Sequence, residues 1–255
     1  MTDTVALITG ANKGIGLETA RQLGVRGMTV LLGARDADRG AEAARTLTQE
    51  GIDARFISLD VTDDASVTAA AEQIEKDFGR LDVLVNNAGI PSASGRRATP
   101  SETSIEDMRA VFEVNVFGLV RVTNAMLPLL RKAPAARIVQ VSSEVGSIDA
   151  TSNPGSPLSA MPASAQYPSS KAAVNMLTAQ YAKELADTPI KVNAANPGFT
   201  DTEFNGHRGI RPVEQGAEPS VHLATLPDDG PSGVLYGHLW TTEGDGDGGY
   251  GTLSW

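Results

Sequence analysis

Short apolar runs alternate strictly with longer amphipathic stretches, and this alternation limits the folds open to the chain more than any other feature. The apolar runs are four to six residues long, which suits β-strands. Strands that are buried on both faces show such runs, and their alternation with helices is typical of a parallel sheet. The seven predicted strands are Val5–Thr9, Thr29–Gly33, Ala54–Leu59, Val83–Asn86, Arg137–Ser142, Lys191–Ala194 and Val234–Leu239.

Helices are predicted near 15–27, 37–50, 63–78, 104–132, 167–187 and 213–226. With right-handed crossovers, these elements form an α/β doubly wound, Rossmann-type parallel sheet of about seven strands with helices on both faces. We expect residues 1–255 to form a single domain. Residues 144–166 lack periodicity and are interpreted as a loop. Residues 243–255 form a glycine-rich tail, which we expect to be flexible over 243–251.

The composition excludes several classes of chemistry. The sequence has no cysteine, so thiolate catalysis and disulfides are excluded, and its three histidines are too far apart for a metal-ligand spacing. We therefore predict no metal. A net charge of -10 disfavours nucleic acid and anionic membranes, and favours a small-molecule partner. A strand near the start leaves no room for a signal peptide, and no apolar run approaches the roughly 20 residues of a membrane span. We expect a cytoplasmic protein.

A glycine-rich turn follows the first strand, in the sequence Thr9-Gly10-Ala11-Asn12-Lys13-Gly14-Ile15-Gly16. Glycines at a strand-to-helix turn let the backbone approach a phosphate, and the helix start offers free N–H groups. Tight turns also need glycine for purely structural reasons. The position of this turn, after the first strand and before a helix, favours a dinucleotide site.

The second strand ends in Gly33-Ala34-Arg35-Asp36. NAD-binding proteins usually place an acidic residue near this point to hold the ribose 2′-hydroxyl. Arg35 instead suits a 2′-phosphate, which Lys13 of the glycine turn reaches from the other side. Alternatively, the two cations lie on the surface and bind no ligand. Asp36 either binds a hydroxyl or caps the next helix.

Two further strand ends carry polar residues. Asp60-Val61 follows the third strand, where Asp60 binds the adenine amino group, caps the next helix, or does both. Asn86-Asn87-Ala88-Gly89 ends the fourth strand. There the amide side chains either cross-link neighbouring strands or contact the cofactor, and Gly89 permits close approach of a ligand.

Tyr167 and Lys171 are the predicted acid–base pair. They lie four residues apart, so on a helix that begins near Pro168 they share one face. An ammonium near a phenol favours the phenolate, and we expect Lys171 to lower the pKa of Tyr167 into a usable range. The pair follows a serine at a strand end, Ser142-Ser143, on the sheet edge where ligands bind.

Taken together, these residues resemble the short-chain dehydrogenase/reductase family over nearly the whole chain. The resemblance implies a catalytic set of Asn115, Ser143, Tyr167 and Lys171, with Ser143 chosen over Ser142 as the usual family position. The matching positions are Thr9, Gly10, Gly14, Gly16, Asp60, Asn86, Asn87, Ala88, Gly89, Asn115, Ser143, Tyr167, Lys171, Asn196, Pro197 and Gly198.

In the implied mechanism Tyr167 protonates a carbonyl oxygen and Ser143 stabilises the developing charge. Lys171 binds the nicotinamide ribose, and Asn115 holds a water that links Lys171 to solvent, although an asparagine there also fits a purely structural role. The implied cofactor-binding residues are Gly10, Asn12, Lys13, Gly14, Ile15, Gly16, Arg35, Asp60, Val61, Asn87, Ala88, Gly89, Tyr167, Lys171, Pro197, Gly198, Thr200 and Thr202.

Four segments are similar to the carbonyl-reductase branch of the family, which favours NADPH/NADP+ and reduces ketones, aldehydes or quinones. They are Asn12-Lys13, Ala34-Arg35, 205–209 and 223–227. Ser143 and Tyr167 are 24 positions apart, which is long for the family. We expect the insertion 144–166 to line the substrate cleft and to obstruct the usual tetramer faces, so a monomer is favoured over a homo-oligomer.

The sequence therefore predicts an NADPH-dependent carbonyl reductase acting on a small-molecule carbonyl substrate. One alternative is an NADP-dependent alcohol dehydrogenase, because the same groups catalyse both directions. A second is a non-catalytic dinucleotide sensor, which the complete catalytic set argues against. A third is a cofactor-free lyase, which the glycine turn and Lys171 argue against.

Overall fold

The computed structural model describes residues 4–95, 98–239 and 249–255. Its strands are β1 Val5–Thr9, β2 Thr29–Ala34, β3 Ala54–Ser58, β4 Val83–Asn86, β5 Arg137–Val141, β6 Lys191–Asn196, β7 Leu235–His238 and β8 Tyr250–Leu253. Its α-helices are α1 Gly14–Val25, α2 Ala37–Gln49, α3 Asp64–Phe78, α4 Ile105–Phe112, α5 Gly118–Leu130, α6 Ile148–Ser152, α7 Gln166–Glu184 and α8 Val213–Ala224. The division into one domain stays a prediction.

All eight strands form one sheet in the order β3-β2-β1-β4-β5-β6-β7-β8. The first seven are parallel to their neighbours, which confirms the doubly wound α/β fold. The eighth strand pairs antiparallel with β7, His238 opposite Tyr250. It begins in the segment expected to be flexible, so that expectation is wrong for Tyr250 and Gly251, while residues 243–248 lie outside the described part of the chain.

Strand β1 shows why the sheet is covered on both faces. All five of its residues are buried. Val5 and Leu7 point into one core, which contains residues of α3, α5 and α7. Ala6 and Ile8 point into the other, which contains residues of α1, α2 and α8. Alternate side chains of a strand face opposite sides, so a wholly apolar strand must be sandwiched between two helical layers.

Two helices after strand ends begin at aspartate caps, and α1 does not. The Asp36 side chain accepts from the Arg39 N–H at 3.0 Å, and the Asp63 side chain accepts from the Ala65 N–H at 3.0 Å. Asp60 therefore does not cap α3, contrary to one of its two predicted roles. Lys13 at the start of α1 makes no side-chain cap, which leaves the first-turn N–H groups of α1 for another acceptor.

The helix predicted over 104–132 is divided by a π-helical segment, Glu113–Phe117. By length and composition alone, Ile105–Leu130 would suffice to cross a membrane, which corrects the expectation that no apolar stretch approaches that length. Val111, Val122 and Met126 of this stretch are fully buried. Its apolar character is that of a core helix.

Residues 144–166 contain short helices, contrary to the predicted loop. These are the 3-10 helices Glu144–Gly146 and Pro157–Ala160 and the five-residue α6. Serines cap all three, and helices this short show no apolar periodicity in a sequence. The C-terminal residues hold the insertion, because the Asp149 N–H donates to the Trp255 carbonyl at 3.3 Å and Ser254 Oγ donates to the Asp149 carboxylate at 2.6 Å.

Candidate active site

The predicted site residues gather at one edge of the sheet, beyond the carboxyl ends of the parallel strands. Strands β1 and β4 are adjacent, and the chain leaves them toward opposite ends of the sheet. A crevice opens at such a reversal, and ligands bind there in doubly wound folds. The glycine turn follows β1, Ser143 follows β5 and Pro197 follows β6, so residues far apart in sequence share this edge.

Ser143, Tyr167 and Lys171 come together as predicted. The Ser143 side chain lies near the Tyr167 hydroxyl and acts to lower its pKa, and the protein encloses this hydroxyl although part of the Tyr167 side chain remains exposed. The Lys171 Nζ lies 5.6 Å from the centre of the Tyr167 ring. Helix α7 positions both residues, because Tyr167 lies in its first turn and Lys171 one turn later. Ser142 faces elsewhere and binds Asn175 at 2.5 Å, which supports the choice of Ser143.

The pKa of Tyr167 is raised, contrary to the expectation that Lys171 lowers it. Burial of the hydroxyl is the main cause, the Ser143 side chain opposes it, and the charge of Glu144 adds to it. The Lys171 Nζ donates to the Val141 carbonyl at 2.7 Å and faces the Tyr167 ring, so its charge does not directly neutralise the phenolate. Tyr167 thus retains its proton at neutral pH.

Burial also acts on Lys171, which is only 4% exposed. Loss of solvation disfavours the ammonium and lowers the pKa of Lys171 to about 8. At neutral pH the ammonium form still predominates. Lys171 is thus a buried cation beside a protonated phenol.

Asn115 fixes the wall of the cleft. Its Oδ1 accepts from the Ile90 N–H at 2.8 Å, and its Nδ2 donates to the Ile90 carbonyl at 3.0 Å and to Ser170 Oγ at 3.0 Å. It thereby ties the π-helical segment to the chain after β4 and to α7. The Asn115 side chain therefore has a structural role, and its water-holding role stays a prediction.

The glycine turn has the shape and the donors of a diphosphate cradle. Gly10 and Gly14 adopt left-handed backbone conformations, at φ 63° and 55°. A Cβ at Gly16 would lie 2.4 Å from Asn87 Nδ2, so only glycine allows α1 to start this close to β4. The first turn of α1 carries no acidic residue and no side-chain cap. Free N–H groups in a helix turn that carries no carboxylate of its own fit an anionic diphosphate.

The asparagines after β4 serve mainly as cross-links. Asn86 Nδ2 donates to Thr123 Oγ1 and to Gln140 Oε1, both at 2.9 Å. Asn87 Nδ2 donates to the Thr9 carbonyl at 2.9 Å and so joins the ends of β1 and β4. Of the two roles left open for these side chains, the structure supports the cross-link. The adjoining Ala88 and Gly89 are partly exposed at the crevice.

Three cations surround the end of β2. Arg35 is exposed and, within the described ranges, has no ion-pair partner. Lys13 forms an ion pair with Glu203, and Arg39, which the sequence analysis missed, pairs with Asp36 at 3.5 Å. Lys13, Arg39 and Glu203 line one cleft of about 790 Å³ between the glycine turn and α2, and Asn12 also borders it.

Asp36 and Asp60 lie near the end of β2 and have different roles. Asp36 caps α2, which settles the choice left open for it. Asp60 Oδ1 accepts from the Thr62 N–H at 2.9 Å and from Thr62 Oγ1 at 2.7 Å. Burial opposes its ionisation, but these bonds and the charge of Arg35 hold its pKa below the ordinary value. The adenine-binding role expected for Asp60 stays a prediction. Its neighbour Val61 is buried.

The segment after β6 returns over the glycine turn. Gly198 is left-handed at φ 72°, and a Cβ there would lie 2.9 Å from Arg211 Cδ, so this turn after Pro197 requires glycine. Thr200 and Thr202 are buried. A Cβ at Gly14 would be in ordinary contact with Thr202, at 3.5 Å from its Cγ2, which places Thr202 beside the glycine turn. Ile15, next in α1, is partly exposed.

Two more residues of the site escaped the sequence analysis. Phe204 packs edge-to-face against Tyr167, with ring centroids 5.6 Å apart, and it is 40% exposed. Glu144 directly follows Ser143 and is 6% exposed. Phe204 lies among the apolar residues of 203–213, which the sequence leads us to expect at the pocket, but its contact with Tyr167 was not predictable because it arises from chain folding. Glu144 was detectable as a carboxylate next to the predicted serine in a segment otherwise poor in charge.

Known proteins resemble this chain along nearly its whole length. The short chain dehydrogenase family model matches residues 4–211. A short-chain dehydrogenase named anuI from Penicillium roqueforti is 41% identical over 247 residues, covering 94% of both chains. A (+)-neomenthol dehydrogenase from Arabidopsis thaliana is 32% identical, covering 95% of this chain and 98% of its own.

A solved structure matches over 100% of both chains, with a TM-score of 0.82 and 27% identity; it is an NADPH-bound carbonyl reductase from chicken fatty liver. The chain therefore belongs to the short-chain dehydrogenase family and is an oxidoreductase that uses a nicotinamide dinucleotide. Within that family it lies in the carbonyl-reductase-like branch.

Proposed function

We propose that the protein is an NADPH-dependent reductase that converts the carbonyl group of a ketone, aldehyde or quinone to the alcohol. The observation that carries this proposal is the convergence of Ser143, Tyr167 and Lys171, with the Lys171 Nζ 5.6 Å from the centre of the Tyr167 ring and the Tyr167 hydroxyl enclosed by the protein. A phenol that retains its proton is suited to donate it to a carbonyl oxygen that gains negative charge. The site stands at the sheet reversal where a dinucleotide binds.

NADPH, when bound, supplies the hydride that adds to the carbonyl carbon. Tyr167 gives its proton to the carbonyl oxygen, and Ser143 donates a hydrogen bond to the same oxygen. Lys171 would hold the nicotinamide ribose hydroxyls and return a proton to the Tyr167 phenolate, and Asn115 would hold the water through which Lys171 regains a proton from solvent. Gly10, Gly14 and Gly16 admit the diphosphate at the start of α1, and Asp60 binds the adenine.

The preference for NADPH rests on the cations around the end of β2. Arg35 has an exposed guanidinium, and Lys13 and Arg39 line the adjoining cleft. A 2′-phosphate accepts charge-assisted hydrogen bonds from all three, whereas a ribose hydroxyl gains little from them. To bind the 2′-phosphate, Lys13 releases the Glu203 carboxylate with which it forms an ion pair. The related carbonyl reductase structure with bound NADPH supports the same choice.

A second candidate is oxidation of an alcohol with NADP+, since related proteins are named dehydrogenases. In that direction Tyr167 must act as a phenolate base, and its raised pKa makes the phenolate scarce at neutral pH. Reduction is therefore the direction that the site favours at neutral pH. A monomeric state and a cytoplasmic location stay predictions.

The test is loss of reduced nicotinamide absorbance over a panel of ketones, aldehydes and quinones, with NADPH and NADH in parallel. We expect turnover with NADPH at a kcat/KM at least about tenfold above that with NADH, the value of one charge-assisted hydrogen bond. Equal use of both cofactors would overturn the NADPH assignment. Binding of NADPH without turnover across the panel would favour the dinucleotide sensor.

A further inference from the structure

Glu144 is a buried carboxyl group that the proposed mechanism does not use. It follows Ser143 directly and begins the 3-10 helix Glu144–Gly146. Asn196 at the end of β6 holds it twice. Asn196 Nδ2 donates to Glu144 Oε2 at 3.0 Å, and the Glu144 N–H donates to Asn196 Oδ1 at 3.1 Å. The Glu144 side chain is therefore fixed among neighbouring strand ends instead of reaching into solvent.

Close packing against α7 holds the 3-10 helix that carries this carboxyl group. A Cβ at Gly146 would lie 2.5 Å from the carbonyl carbon of Lys171 and 2.8 Å from the Ala172 nitrogen. The 3-10 helix therefore touches the backbone of α7 at Lys171. One turn of α7 separates that contact from Tyr167, so Glu144 cannot move away from Tyr167 without moving this helix.

The charge of Glu144 acts on Tyr167 through a medium of low polarity. Burial raises the pKa of Glu144 to about 7, although the hydrogen bond from Asn196 and the charge of Arg211 oppose this. The group is thus neutral in acid and charged in alkali. When charged, it raises the pKa of Tyr167 beyond the effect of burial alone. Like charges in a water-poor site repel strongly, so a carboxylate disfavours a phenolate.

We propose that Glu144 is a positioning residue that acts through Tyr167, and that its carboxylate extends the pH range of carbonyl reduction upward by keeping the tyrosine hydroxyl protonated. This inference rests on the proposed function of Tyr167 as the proton donor. In the oxidative direction the same charge delays formation of the phenolate base, so that oxidation requires a higher pH. The overall equilibrium is unchanged, since both directions share one transition state.

Other ionisable groups lie near Glu144, and their effects must be distinguished from the effect of its ionisation. Arg211 acts on Glu144 through its charge, and it is the same in the parent protein and in a variant at position 144. His238 on β7 is buried, and its carbonyl accepts from Asn196 at 2.9 Å. Lys171 of α7 itself titrates near pH 8, so enzyme activity alone would mix its loss of charge with that of Tyr167.

The decisive experiment is an alkaline titration of phenolate absorbance in the parent protein and in Glu144→Gln. The amide keeps an acceptor for Asn196 and removes only the charge. The sequence has four tyrosines, so each profile is corrected with the matching Tyr167→Phe protein. We expect Tyr167 to titrate at least about one pH unit lower in Glu144→Gln, a tenfold change in its proton affinity. A titration at the parent pH would overturn the proposal.

Two further measurements complete the test. In Glu144→Gln, the alkaline limb of kcat/KM for carbonyl reduction should move to lower pH together with the phenolate titration. Below about pH 6, where residue 144 is neutral in both proteins, the parent and variant profiles should converge. The control is Asp187→Asn, the same charge change at an exposed site after α7, and it should move neither. A matching shift in Asp187→Asn would overturn the proposal.

The titration distinguishes failure of the Glu144 proposal from failure of the proposed carbonyl reduction. The titration needs no turnover, so it reports on Glu144 even if the panel finds no carbonyl substrate. If Glu144→Gln does not fold, Glu144→Ala, which also removes the charge, takes its place. We expect Tyr167 again to titrate lower than in the parent protein, and a titration at the parent pH would contradict the proposal.

Discussion

Tyr167 and Lys171 illustrate what sequence spacing establishes at the scale of single residues. The interval of four correctly placed both side chains on one face of α7. It could not establish the pKa of Tyr167, because burial and the neighbouring Glu144 outweigh the expected effect of Lys171. Burial of a side chain depends on elements far away in sequence. Local spacing therefore gave the identity of the pair but not its electrostatics.

The choice of cofactor is also decided by single residues. We predict that Arg35→Ser and Arg39→Ser each raise the KM for NADPH by about ten- to a hundredfold, since each loses charge-assisted hydrogen bonds worth about 1.5–3 kcal/mol. The KM for NADH should remain unchanged, because NADH lacks the phosphate. Steady-state kinetics with both cofactors checks this.

A matched control for these variants lies away from the site. Arg131 is exposed at the end of α5 and pairs with Glu184 at 3.8 Å, so Arg131→Ser removes a similar surface charge. It should leave both KM values unchanged. An equal loss of NADH affinity in Arg35→Ser or Arg39→Ser would mean that these arginines do not select the phosphate.

Helices and strands with a regular pattern were well predicted. β1 and β4 agree with the sequence analysis to the residue, and α2 and α3 agree within one residue at each end. The antiparallel β8 was missed, because its glycine and polar residues lack the apolar pattern of the parallel strands. The π-helical segment within the predicted long helix was also missed. It depends on the hydrogen bonds of Asn115 to Ile90, which join distant parts of the chain.

The proposed mechanism depends on the placement of the 3-10 helix after Ser143. We predict that Gly146→Ala destabilises the protein by about 1–3 kcal/mol, because the new methyl group meets the backbone of α7 and has no room. Activity should fall as well, since the displaced helix carries Ser143 away from Tyr167. Thermal unfolding and kcat measure the two effects.

Gly155→Ala tests whether any added methyl group in the insertion has this effect. A Cβ at Gly155 would meet only Asn153 Oδ1, at 3.3 Å, and its backbone conformation does not require glycine. We expect nearly parental stability and activity. Equal behaviour of Gly146→Ala and Gly155→Ala would show that contact with α7 does not position Ser143.

At the scale of the whole molecule, the order of strands explains how the site forms. The sheet brings the turns after β1, β4, β5 and β6 to one edge, although they are spread over most of the chain. The alternation of strands and helices predicted this architecture, because parallel strands with crossovers must end on the same side. The contacts of Phe204 and Glu144 were not predictable in this way, since they depend on how irregular segments fold back over that edge.

The proposed mechanism depends on Tyr167 as the proton donor, and its most direct test is Tyr167→Phe. NADPH consumption should be measured with the best carbonyl substrate of the panel, together with NADPH binding. We predict that kcat/KM falls by about 10²- to 10⁴-fold, the usual contribution of a general acid, while the Kd of NADPH is unchanged. Turnover equal to that of the parent protein would contradict the proposed mechanism.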